Sequence, residues 1–142
     1  MTWFQQKKVL VPIDFSEKSD AAVDTVLALG MPPKRISVIN VAPDLAMMTP
    51  GVVWEELTDD SRRANIDRKF HEVFRGPEYE GISLHVAFGD PGHEIAAHAE
   101  EIDADLIVMP SHGRTGLTRL MLGSVAERVL RLSHCAVLIL RD

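Results

Sequence analysis

Five short apolar runs punctuate the chain, and a stretch of helical periodicity separates each from the next. They are KVLVPI (8–13), ISVINVA (36–42), ISLHVAF (82–88), DLIVM (105–109) and AVLIL (136–140). The first, fourth and fifth are almost unbroken Val, Ile and Leu, the pattern of parallel strands covered on both faces. Ser83 and His85 interrupt the third, which predicts a strand near a sheet edge.

The intervening segments carry their own start and stop signals. Ser16 is placed to cap a helix whose Ala22, Val26 and Leu29 share one face, and Gly30 suits its end. A segment over 54–75 gathers Ile66, Phe70, Val73 and Phe74, with Asp59, Asp60, Arg63, Asp67 and Arg68 predicted on a solvated face. Asp90-Pro91 reads as a cap followed by proline at the first helical position. A last helix over 123–133 aligns Val125, Val129 and Leu132, with Ala126 and Leu130 beside them. Strand and helix in alternation predict βαβ units with right-handed crossovers. The expected architecture is one doubly wound α/β domain over 1–142, a five-stranded parallel sheet with helices on both faces. Only APDLAMMTPGVV (42–53) breaks the rhythm, as a lid or as an irregular crossover.

Composition narrows the function. A chain of 142 residues suits a single core. Its net charge of −6 argues against a nucleic-acid partner, which needs a basic surface. A small anion needs only local donors and stays open. No apolar run approaches the roughly 20 residues that span a bilayer, so no membrane association is expected. The first apolar stretch is too short for a secretory signal, and the single Cys135 has no internal partner. A cytoplasmic protein is therefore expected. Cys135, within CAVLIL, reads as a small buried hydrophobe.

In open α/β sheets the ligand site lies beyond the carboxyl ends of the strands, where strand order reverses. That points to Asp14, to Val41 and to the loop after the fourth strand. The loop holds Gly113 and Gly116, which let amides approach an anion, and Arg114 and Arg119 add charge. Gly123-Ser124 opens the next helix, whose dipole favours an anion. Spacing alone leaves a phosphate cradle and a flexible join both open. Asp14 likewise could hold a ribose hydroxyl or a nucleotide-bound Mg²⁺, or simply cap the next helix. His112 is a possible ligand contact, whereas His71, His85 and His134 read as surface or partly packed. His93 and His98 stand five apart, the wrong spacing for a zinc pair on one helical face. Neither the P-loop nor the dinucleotide fingerprint is present. Ser111 and Ser124 lack the G-x-S-x-G elbow of a nucleophile, and no general base is identifiable, so catalysis is not expected.

With these pieces in place, the chain resembles the universal stress protein family over essentially its whole length. The resemblance rests on VLVPIDFSEKSDAAV, VINVA and SHGRTGLTRLMLGSVAERVLRLSHCAVLIL. It implies an adenine-nucleotide α-hydrolase-like fold and a dimeric regulatory protein of the stress response. It also implies a site for ATP with Mg²⁺, the metal reached through Asp14. Asp14 and Val41, with Pro12 nearby, would lie around ribose and adenine. Pro110, Ser111, His112, Gly113, Arg114 and Gly116 would form the phosphate loop with Gly123, Ser124 and Val125. The family's ATP-binding pattern is glycine, two residues, glycine, nine residues, then Gly-Ser or Gly-Thr. Gly113 and Gly123-Ser124 match it, but the first glycine is replaced by Pro110, which has no N–H to donate. The homodimer would pair the last strands (136–141), whose apolar edge carries no charge before Arg141. The alternative is a nucleotide-free dimeric interaction module of the same fold. Two further classes fare worse: the related adenylating enzymes use other signatures after the first strand, and G-R-T-G follows a strand where a KH domain needs helices.

Overall fold

The computed structural model describes residues 6–44, 58–111 and 121–141. The chain forms β1 (Val9–Pro12), α1 (Glu17–Ala28), β2 (Ile36–Ala42), α2 (Asp59–Val73) and β3 (Ser83–Phe88). It continues with α3 (Pro91–Glu101), β4 (Leu106–Pro110), α4 (Ser124–Leu132) and β5 (Ala136–Leu140). All strands are parallel, in the order β3-β2-β1-β4-β5. The five predicted strands and the edge position of the third are all present. Among the described residues, no helix is long and apolar enough to cross a membrane.

Alternate strand residues divide the core in two. Val9, Val11, Val38, Leu106 and Val108 face α1 and α2, together with Val23, Val26, Phe70 and Phe74. Leu10, Ile39, Ile107 and Met109 face α3 and α4, with Ile95, Ala99, Ala126 and Val129. Strands so covered have no polar face, which is why their sequences show no alternation.

The helix ends follow local chemistry. Ser16 accepts from the Ser19 amide and Asp90 from the His93 amide, as expected of caps. Gly30, at φ +93°, donates to the Leu27 carbonyl while Met31 donates to that of Val26, the double closure that a left-handed residue permits. Beyond these points the apolar periodicity overreaches. Leu29, Val73, Leu130 and Leu132 were expected to pack inward but are 39–45% exposed. Leu29 is a C-cap, while Val73 and Leu132 are the last residues of their helices, past the end of the sheet contact. In α4 the inward pair is Ala126 and Val129, which turns Leu130 outward. Cys135 is half-buried rather than enclosed, its amide donating to Ser133 Oγ at 3.1 Å.

The charges of α2 are not wholly solvated either. Arg63 donates to the Val86 carbonyl at 2.9 Å, and its guanidinium lies 5.2 Å from the Phe88 ring. On the same face of the sheet Tyr79 packs against Phe74, and its hydroxyl donates to Asp24 Oδ1 of α1 at 2.6 Å. That hydrogen bond, followed by burial, pushes the phenol from 10.0 up to about 12. The stabilisation is therefore complete below pH 10 and is lost as pH rises through about 12. Tyr79→Phe should lower stability by about 1 kcal/mol in denaturant titration at pH 7, since the carboxylate is exposed.

Candidate functional site

The chain walks from β1 outward to β3, then returns to lay β4 on the other side of β1. This reversal opens the sheet. β1 and β4 keep register for only Val9↔Leu106 and Leu10↔Ile107, whereas β4 and β5 stay paired as far as Pro110↔Leu140. Beyond Leu10 and Ile107 the two central strands part, and a cavity of about 290 Å³ lies at their carboxyl ends. Pro12, Asp14, Val41, Pro110, Ser111, Gly123, Ser124 and Val125 all line it. The sequence placed each of these at the site. His112, Gly113, Arg114 and Gly116 lie outside the described residues, as does most of the 42–53 crossover.

Two prolines explain why the strands part without loss. Successive amides of a strand point to opposite sides. Ser111 N–H donates to the Leu140 carbonyl of β5 at 3.0 Å, so the nitrogen at 110 is turned toward β1. Ile13 N–H donates to the Ile39 carbonyl of β2 at 2.8 Å, so the nitrogen of Pro12 is turned toward β4. Both prolines thus sit where the β1–β4 ladder has already ended, and neither costs a sheet hydrogen bond. The crevice correspondingly lacks both amides. Pro110 is cheap for the fold, and its cost falls on the site.

Asp14 lines the cavity and braces the turn before α1 without being the helix cap. Its Oδ1 accepts from the Ser16 amide and from the Ser19 hydroxyl, each at 2.9 Å. The helix cap itself is Ser16, so Asp14 props the preceding turn while facing the cavity. Between them Phe15 is held at φ 61°, a left-handed conformation that costs energy in a residue with a Cβ and persists because the flanking bonds fix it. Buried Asn40 ties the same end of the sheet, its amide donating to the Ile13 carbonyl at 2.9 Å.

At the opposite wall stands the start of α4. Gly123, its N-cap, is buried and gives no side-chain cap bond. Its own amide is not free, as expected of a cradle, but donates to the Ser111 carbonyl at 2.8 Å. The first helical turn leaves the amides of Ser124, Val125 and Ala126 with no acceptor within the helix, and all three residues line the cavity. Helices α1, α2 and α3 have side-chain caps from Ser16, Thr58 and Asp90. The helix aimed at the crevice is the one whose cap residue has no side chain.

Sequence reading missed Ile13, Ser19, Ile39, Pro91, Ile95, Met109 and Ala126 as further lining. Most are apolar residues at element ends, indistinguishable in sequence from core. Asn40, a polar residue inside a buried strand, was the signal available for the sheet end. Among the described residues, no cluster of three or more His, Cys, Asp or Glu could hold a metal unaided.

A parallel sheet of order 3-2-1-4-5 with a crevice at its switch point defines an α/β protein of the doubly wound class. The chain belongs to the universal stress protein family, whose model matches residues 6–141. Universal stress protein MJ0531 of Methanocaldococcus jannaschii is 34% identical over 141 residues, covering 95% of this chain and 82% of that one. The solved structure of MJ0577, from the same organism, superposes with a TM-score of 0.74 at 26% identity and covers 97% of each chain. A universal stress protein solved in complex with cAMP shares the fold at a TM-score of 0.62 and 22% identity, covering 95% of this chain and 96% of that one.

Proposed function

We propose that this protein binds an adenine nucleotide, ATP with Mg²⁺, in the β1–β4 crevice, and acts as a cytoplasmic homodimer that regulates the stress response. The supporting observation is the N-terminus of α4, whose cap residue gives no side-chain bond, facing Asp14 across a largely apolar cavity. The amides of Ser124, Val125 and Ala126 suit phosphate oxygens, which the helix dipole also favours. Ile39, Val41 and Ile95 offer an apolar seat for a base. Asp14 is a hard carboxylate able to take one position on a phosphate-bound Mg²⁺, with phosphate and water oxygens completing the shell. Its Oδ1 also serves the turn before α1, and in this reading the protein is a binder rather than an enzyme.

The dimer reading draws on β5, an edge strand whose Val137, Leu138, Ile139 and Leu140 are only half-buried. An apolar edge of this kind needs a cover. A second reading, the nucleotide-free interaction module, draws on that same edge together with the donor missing at Pro110.

Native mass spectrometry of the purified protein reads both properties at once. The expected species is a dimer carrying an adenine nucleotide, or one that acquires it when Mg-ATP is added. A dimer that stays empty with ATP, AMP and cAMP at millimolar concentration transfers the case to the second reading. A monomer at micromolar protein overturns both.

A further inference from the structure

On the side of the sheet away from α1, two histidines from different elements lie face to face. His85 of β3 and His98 of α3 stack with ring centroids 3.9 Å apart and planes within 5°. The His98 side chain is only 10% exposed, and its Nδ1 is buried without a hydrogen-bond partner. Glu101 Oε2 stands 3.6 Å from that nitrogen. Glu94 of α3 and Arg63 of α2 are the other charges acting on His85, while its β2 neighbour is the uncharged Ile39.

The stack suits one state of charge. Two neutral rings in a parallel stack gain dispersion but no charge attraction. One cation over the face of a second ring is attracted to it. Two cations at this separation repel, and with His98 buried and His85 half-buried water screens them only in part. We propose that His85 and His98 form a one-proton latch between edge strand β3 and helix α3, closed while the pair holds a single proton and forced apart by the second.

The chemistry around the pair supports this assignment. A proton on His98 Nδ1 would face Glu101 and give the orphaned nitrogen something to bond. The second proton would have to enter at His85, whose basicity burial lowers, with the neighbouring His98 lowering it further. A histidine whose folded value lies below its ordinary 6.5 contributes stability in full above that pH. The contribution is then lost as pH falls through the folded value. His98 lies one turn beyond Ile95, so the latch fixes the same helix that walls the crevice.

The direct test is a proton NMR titration of the intact protein between pH 8 and about 4.5. The imidazole signals of His85 and His98 should move in two separate steps, the second coinciding with loss of contacts between β3 and α3. The exposed His93 and His134 should not sense either step. A single shared midpoint for the pair, or a second step with the β3–α3 contacts intact, overturns the proposal. His85→Phe keeps a ring in the stack and removes its proton. This variant should lose at least half of the wild-type fall in Tm between pH 7 and pH 5, and an unchanged fall again overturns the latch. Should His85→Phe fail to fold, His85→Gln gives the same reading.

Discussion

Gly123→Asp should abolish nucleotide binding while leaving the unliganded protein as stable as before, or slightly more so. The N-cap backbone, at φ −62° and ψ 153°, is a conformation any L-residue adopts. An aspartate there can accept from the amide two or three residues on, as Ser16 and Asp90 do in α1 and α3. The helix would then be capped from within, and a carboxylate would stand where a phosphate must come. Losing one or two charge-assisted hydrogen bonds amounts to about 3 kcal/mol, a weakening of roughly a hundredfold before charge repulsion is added. Calorimetric titration with Mg-ATP, beside an unliganded melting curve, measures both quantities. Equal affinity in a folded Gly123→Asp protein would show that phosphate does not sit on α4.

Pro110→Gly should move the same two quantities in opposite directions. The new amide would point into the gap between β1 and β4, because Ser111 N–H is committed to Leu140 on the other side. One hydrogen bond to a charged ligand corresponds to a gain of about 1.5–3 kcal/mol, or ten- to a hundredfold in affinity. Exchanging proline for glycine also frees the unfolded chain, at a cost to the fold of about 1 kcal/mol. Tighter binding with a lower unliganded Tm is the expected pair of results. Unchanged affinity in a protein that already binds well would mean that the phosphates rest on the α4 amides without help from position 110. No binding in either form would leave the crevice a structural gap.

How much of this was legible in sequence depended on whether one residue or two elements carried the signal. The strands were readable because a doubly covered parallel strand must be apolar at every position, as in AVLIL and DLIVM. Ser83 betrayed the edge of the sheet, and its hydroxyl indeed meets Ser37 of the neighbouring strand at 3.0 Å. Caps were readable for the same local reason. Periodicity could not say where a helix outruns the sheet, so Leu29, Val73 and Leu132 were misplaced. Nor could it find the His85–His98 stack, whose partners occupy different elements. At the site, Asp14, Val41 and Gly123-Ser124 were visible through strand ends and family pattern, while Pro91 and Ile95 were hidden as ordinary helix residues. That the Gly123 amide turns back to Ser111 depends on the path between β4 and α4, which no spacing rule gives.

The two residue pairs that join β1 to β4 also bear on how the chain acquires its shape. Every strand in this sheet is parallel, so no hairpin can form early, and the central strand must wait for a partner far along the chain. Lys8 and Asp105, whose amide and carboxylate meet at 2.9 Å, are 97 positions apart. Contacts of such separation slow folding, because the intervening loop must be closed before they return anything. During synthesis, β1 and β2 can meet while β4 is still inside the ribosome, leaving one edge of β1 bare. The crevice does not exist in that half-built sheet, since one of its two walls has not been made. A nascent or truncated chain ending before β4 would therefore be unable to form the crevice, and would expose a strand that is fully buried in the finished molecule to whatever else could pair with it.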